Sequence, residues 1–169
     1  MRPLLSFLSA AAKVVAAPGA RSLLTQVPGE YLDELDGVAL FPGIVRGDTR
    51  FGVLLAGRAS GDLPGTWAGF VHYRSPWVVP NMRHEIVDGS WYFQAPEGAF
   101  YGRVVRGQVL RDDTCRYAEI ELTVEITGGR GPFTGATGLG VLAKGLVDHG
   151  SRLPRFTARQ TVALHLLED

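Results

Sequence analysis

Ile126-Thr-Gly-Gly-Arg-Gly-Pro-Phe-Thr-Gly-Ala-Thr-Gly-Leu-Gly140 is the stretch on which the fold turns. Six glycines surround one buriable aromatic, Phe133. Glycine serves where a backbone takes positive φ or closely approaches another backbone. The stretch therefore predicts a tight corner between two strands, with a short strand at 133–136. Upstream, residues 116–127 give the cleanest alternation in the chain. Ala118, Ile120, Leu122, Val124 and Ile126 fall on one face, and Tyr117, Glu119, Glu121, Thr123 and Glu125 on the other. Period two puts the apolar set inside and the glutamates in water. Downstream, the same parity predicts Leu139, Val141, Ala143, Gly145 and Val147 inward.

Further strands read outward from this pair. Phe51, Val53 and Leu55 alternate, and after the turn at 61–65 Trp67, Gly69, Val71 and Tyr73 share a face. A strand at 82–87 ends at Asp88-Gly89, a hairpin signal, and 90–94 follows with Trp91 and Phe93 on one face. Residues 100–110 and 156–167 supply two more, the last with Val162, Leu164 and Leu166 inward. Even, alternating strands with few helices make a sandwich or a barrel. Residues 20–47 read as a linker with first turns, in which 31–35 suggests a helical turn. Residues 48–169 are the β domain. Residues 1–19 read as a helix or lid, stopped by Pro18-Gly19, with a cleaved signal peptide as the alternative.

The totals bound the function. The 169 residues fit one domain able to bury its own core. Net charge is zero, so there is no global electrostatic case for nucleic acid or anionic membrane. No apolar run is long enough for a membrane-spanning helix. The single cysteine, Cys115, cannot form an internal disulfide and suits a reducing cytoplasm; a signal peptide would instead imply secretion. Exposed apolar strands and the terminal helix call for cover, which a homodimer would supply.

The pattern Ile-Thr-Gly-Gly-x-Gly-x-Phe-x-Gly-Ala-x-Gly, at 126–138, resembles the allene oxide cyclase-like barrels. That group includes plant allene oxide cyclases, dirigent proteins and bacterial polyketide cyclases, among them spirotetronate-type Diels–Alderases. A looser likeness in strand rhythm runs from Asp48 to Leu167. Arg130-Gly-Pro132 departs from the Thr-Gly-Arg or Thr-Gly-Lys frequent in the family. The resemblance implies an all-β, eight-stranded antiparallel, calycin-like barrel with an N-terminal helical extension. It implies a cofactor-independent cyclase that folds a flexible apolar polyene for [4+2] closure. A non-catalytic apolar-ligand barrel, or a dirigent-like orienting protein, stays open beside it. The buried glutamate used by allene oxide cyclases has no motif-placed counterpart here, because Glu119, Glu121 and Glu125 read as external.

Common catalytic signatures, such as Gly-x-Ser-x-Gly, are absent from the sequence, and no histidine pair has ligand spacing, so neither cofactor nor metal is expected. The aromatics read either as core filling or as the lining of a site. A small-molecule pocket is mostly apolar with a few directional polar groups. The expected lining is Trp67, Val71, Met82, Trp91, Phe93, Ile120, Leu122, Val141 and Gln160. Tyr73, Tyr101 and Glu85 are the candidate catalytic groups, as hydrogen-bond donors or an acid, with a surface ion pair to Arg83 or Arg103 as the other reading of Glu85.

Overall fold

Eight strands close into one antiparallel barrel in which each strand pairs with its sequence neighbours and the last pairs with the first. The computed structural model describes residues 29–40, 51–73 and 80–166. The strands are β1 (Gly29–Leu40), β2 (Phe51–Gly61), β3 (Gly65–Tyr73), β4 (Arg83–Gln94), β5 (Ala99–Arg111), β6 (Tyr117–Arg130), β7 (Ala136–Asp148) and β8 (Arg155–Leu166). The strand rhythm allowed a sandwich or a barrel, and the eight-stranded antiparallel barrel that the resemblance implied is the one present. The predicted terminal helix at 1–19 lies outside the described residues. No helix among the described residues is long and apolar enough to cross a membrane.

Strand β6 forms as its alternation requires. Ala118, Ile120, Leu122, Val124 and Ile126 are all buried, and Glu119 and Glu121 are exposed. The glycine-rich corner after it is a single 3₁₀ turn, Gly131–Phe133, and β7 starts only at Ala136; the short strand expected at 133–136 does not form. Gly131 sits at φ +64°, a left-handed conformation that needs glycine. The turn drives Phe133 into the barrel end, where its ring meets Phe100 edge-on at 5.6 Å.

Two other expectations are corrected. The stretch 31–35 is not a helical turn in a linker but the interior of β1: Tyr31, Asp33 and Leu35 are buried, and Leu32, Glu34 and Asp36 are exposed. The β1–β8 ladder closes the barrel, with Asp33 opposite Gln160 and Leu35 opposite Ala158. Nor does Asp88-Gly89 turn the chain. β4 runs through it, because each half pairs with β3 and β5 rather than with the other half. The register slips there, with His72 opposite Asp88 and Tyr73 opposite Ile86, so Val87 is the extra residue of a bulge.

Similar slips interrupt the β5–β6, β6–β7 and β7–β8 ladders. They bend the strands and re-aim side chains, as bulges do at barrel walls. One end of the barrel carries the short turns 61–65, 95–98 and 131–135. At the other end β1, β3, β5 and β7 finish, and the stretches of sequence that follow them are the longer loops.

Candidate functional site in the barrel lumen

The lumen is lined by aromatics in two groups. Phe93 stacks on Phe100 at 5.0 Å, and with Phe133 and Leu63 these close the short-turn end. Deeper in, Trp67 stacks on Trp91 at 5.2 Å and meets Phe156 edge-on at 5.4 Å. Position 69 must be glycine for this: a Cβ there would lie 2.3 Å from the Trp91 ring. Each indole N–H finds an acceptor, as buried tryptophans require. Trp67 Nε1 donates to the Arg58 carbonyl at 2.9 Å, and Trp91 Nε1 donates to Gln160 Oε1 at 3.1 Å.

Gln160 is the hinge of the site. It is 0% exposed, and while its Oε1 is engaged by Trp91, its Nε2 has no partner. Directly opposite on β1 stands Asp33, 1% exposed. Its Oδ1 accepts from the Leu63 N–H at 2.8 Å, but its Oδ2 has no partner. Burial opposes the charged carboxylate and pushes its pKa up to about 6; the Leu63 N–H works against that rise and the nearby Asp62 charge adds to it. A buried donor and a buried acceptor thus lie unpartnered on two facing residues. Each open buried group costs about 1–3 kcal/mol, and native interiors rarely leave such groups without a partner, ordered water included. A Cβ built on Gly140, in ladder with Val162, two positions from Gln160, would rest in ordinary van der Waals contact with Val162 and Val124, 3.6 and 3.7 Å away.

The expected site residues divide between the two faces of the wall. Trp67, Val71, Tyr73, Trp91, Phe93, Ile120, Leu122 and Gln160 are buried in the barrel core. Tyr73 sits at the long-loop end, its hydroxyl pKa raised mainly by burial. Four residues lie elsewhere. Tyr101 follows the inward Phe100 and faces out, 42% exposed, with its ring over Gly128. Glu85 stands between the buried His84 and Ile86, so it faces out opposite Gln108. Met82 precedes β4 and is 54% exposed.

Val141 lies between the buried Gly140 and Leu142 and faces out, 46% exposed. The register slip between Ala143 and Leu146 explains the reversal. Parity carried back from Gly145 and Val147 across an irregularity assigns every earlier β7 residue to the wrong face. On that outer wall Val141 borders a groove of about 380 Å³, together with Arg106, Gln108, Glu121 and Thr123.

Asp33 is the residue that sequence reasoning missed. Its signal was present: Tyr31, Asp33 and Leu35 share a period-two face with one acid on it. Comparison with protein-family models, curated proteins and solved structures finds no match to the chain.

Proposed function

We propose that the barrel is a cofactor-independent cyclase that takes a flexible, largely apolar polyene into its lumen and promotes intramolecular ring closure, in the [4+2] sense. The observation that carries this reading is the open pair, Asp33 Oδ2 and Gln160 Nε2, set in an aromatic lumen. Such a pair would seat one polar group of an otherwise apolar guest. Gln160 Nε2, or Asp33 when protonated, would donate a hydrogen bond to a carbonyl conjugated with the reacting alkene. That withdraws electron density where the transition state needs it, and a preorganised donor in a dry site is worth about 3–4 kcal/mol. The indole pair Trp67–Trp91 supplies a flat wall against which a polyene would fold. Holding the diene and alkene together converts a rare conformer into the resting one, worth several kcal/mol. The step balances within the substrate: two C–C σ bonds form from π electrons, one π bond shifts, and no proton leaves.

The test is turnover of a linear polyene carrying a conjugated diene and a carbonyl-activated alkene. Ring product should form faster with protein than without, and Gln160→Leu should slow it about 100- to 1,000-fold, the value of one such donor. Ring formation at the uncatalysed rate defeats the cyclase reading. Saturable binding of an unchanged guest would then support the second reading, an apolar-ligand carrier, which the same open pair also favours.

A further inference from the structure

A second polar group faces the lumen at the opposite end, and nothing in ring closure uses it. Arg111 ends β5, two residues beyond the buried Val109, so its side chain takes the inward parity. Its Nε is buried and without a partner. Among the described residues its Nη2 bonds the Cys115 carbonyl, at 3.3 Å, and no carboxylate lies in ion-pair contact with it. The neighbouring acids are engaged elsewhere. Asp148 is held by Arg116 at 3.2 Å, and Asp112 accepts the Tyr117 N–H at 3.0 Å and the Thr114 hydroxyl. Around the guanidinium, the ends of β3, β4 and β7 bring Tyr73, His84 and His149 to the same end of the barrel. The charge of Arg111 reaches Tyr73, His149 and the Asp112 carboxylate.

Asp112 lies close enough to feel the Arg111 charge but is bonded to other donors, so the partly buried guanidinium keeps an N–H unused. Its planar fork suits a carboxylate, which it can grip through two parallel hydrogen bonds. We infer that Arg111 forms a head-group subsite for the guest: the substrate is an amphipathic monoanion whose carboxylate, or a comparably compact anion, stops at Arg111 while its apolar body extends down the lumen. This rests on the lumen being a guest chamber, as proposed above. It adds a substrate class and an orientation, since the charged end lies at the end of β5 and the reacting carbons lie toward Trp91 and Gln160.

The test uses the full-length protein and two fluorescent probes, cis-parinaric acid and its methyl ester, read by energy transfer from tryptophan. The acid should bind at least 10-fold more tightly than the ester. Arg111→Gln should abolish that preference while binding the ester as the wild type does, which also shows that the variant is folded. Arg111→Lys, which keeps the charge without the fork, should retain part of the preference. Equal binding of acid and ester by the wild type, or an undiminished preference in Arg111→Gln, overturns the head-group subsite and leaves the chamber standing. Failure of both probes to bind overturns the chamber and the subsite together.

Discussion

Replacing Asp33 by Asn gives the most quantitative access to the site. The amide keeps the size of the side chain and an oxygen for the Leu63 N–H, 2.8 Å away in the native protein. It removes only the titrating proton. The native carboxyl has its pKa raised from 3.8 to about 6, so between those values the folded state holds a proton that the unfolded chain has released. Stability contributed by that proton is complete below pH 3.8 and is lost as pH rises through 6. A shift of about two units corresponds to about 3 kcal/mol, of which roughly 2–3 should disappear between pH 4 and pH 7.

Other groups titrate nearby. His149 has its pKa lowered by burial and so loses stability as pH falls through the histidine range, the opposite sign. The difference between wild type and Asp33→Asn cancels this common background. Urea unfolding followed by tryptophan fluorescence measures it: with an m-value near 2 kcal/mol/M, the gap in midpoint should change by about 1–1.5 M from pH 4 to pH 7, in favour of the variant at high pH. A gap that stays constant across that range would refute the buried, unpaired carboxylate.

Gly69→Ala should destabilise by about 1–3 kcal/mol, because the new methyl meets the Trp91 ring at 2.3 Å; urea unfolding measures it. Trp91→Phe removes the indole N–H from Gln160 and strands a second buried atom of that amide, costing about 1–3 kcal/mol by the same assay. Val141→Lys should change stability by no more than about 0.5 kcal/mol, whereas Leu142→Lys should leave little folded protein, with circular dichroism separating the two. Arg103→Gln breaks an exposed ion pair to Glu125 at 2.6 Å and should shift the thermal midpoint little, since such pairs are worth about 0–1 kcal/mol.

The parts of the fold legible in the sequence were those whose pattern lies within one strand. β6 carries an unbroken apolar face, so its direction and its glycine corner could be read directly. β1 was obscured because an acid occupies one of its lumen positions, which breaks the apolar rhythm that marks a strand. Asp88-Gly89 imitates a hairpin, yet pairing with β3 and β5 overrides the local turn preference. Val141 shows how one bulge in β7 reverses every parity inference drawn across it. Gln160 was visible as a polar residue on an apolar strand. Its opposition to Asp33 was not, because the ladder between the first and last strands exists only once the barrel closes.

The claim at the centre of this account is that Asp33 Oδ2 and Gln160 Nε2 await a polar group of a guest. A crystal structure of the protein grown with a long-chain conjugated polyene amide tests it most directly, because a primary amide offers one donor and one acceptor to that pair. The account predicts density for the chain inside the barrel against Trp91, with the amide nitrogen bonded to Asp33 and the amide oxygen to Gln160. Density confined to the outer groove beside Arg106 and Val141, with the two lumen side chains still unpartnered, would contradict it.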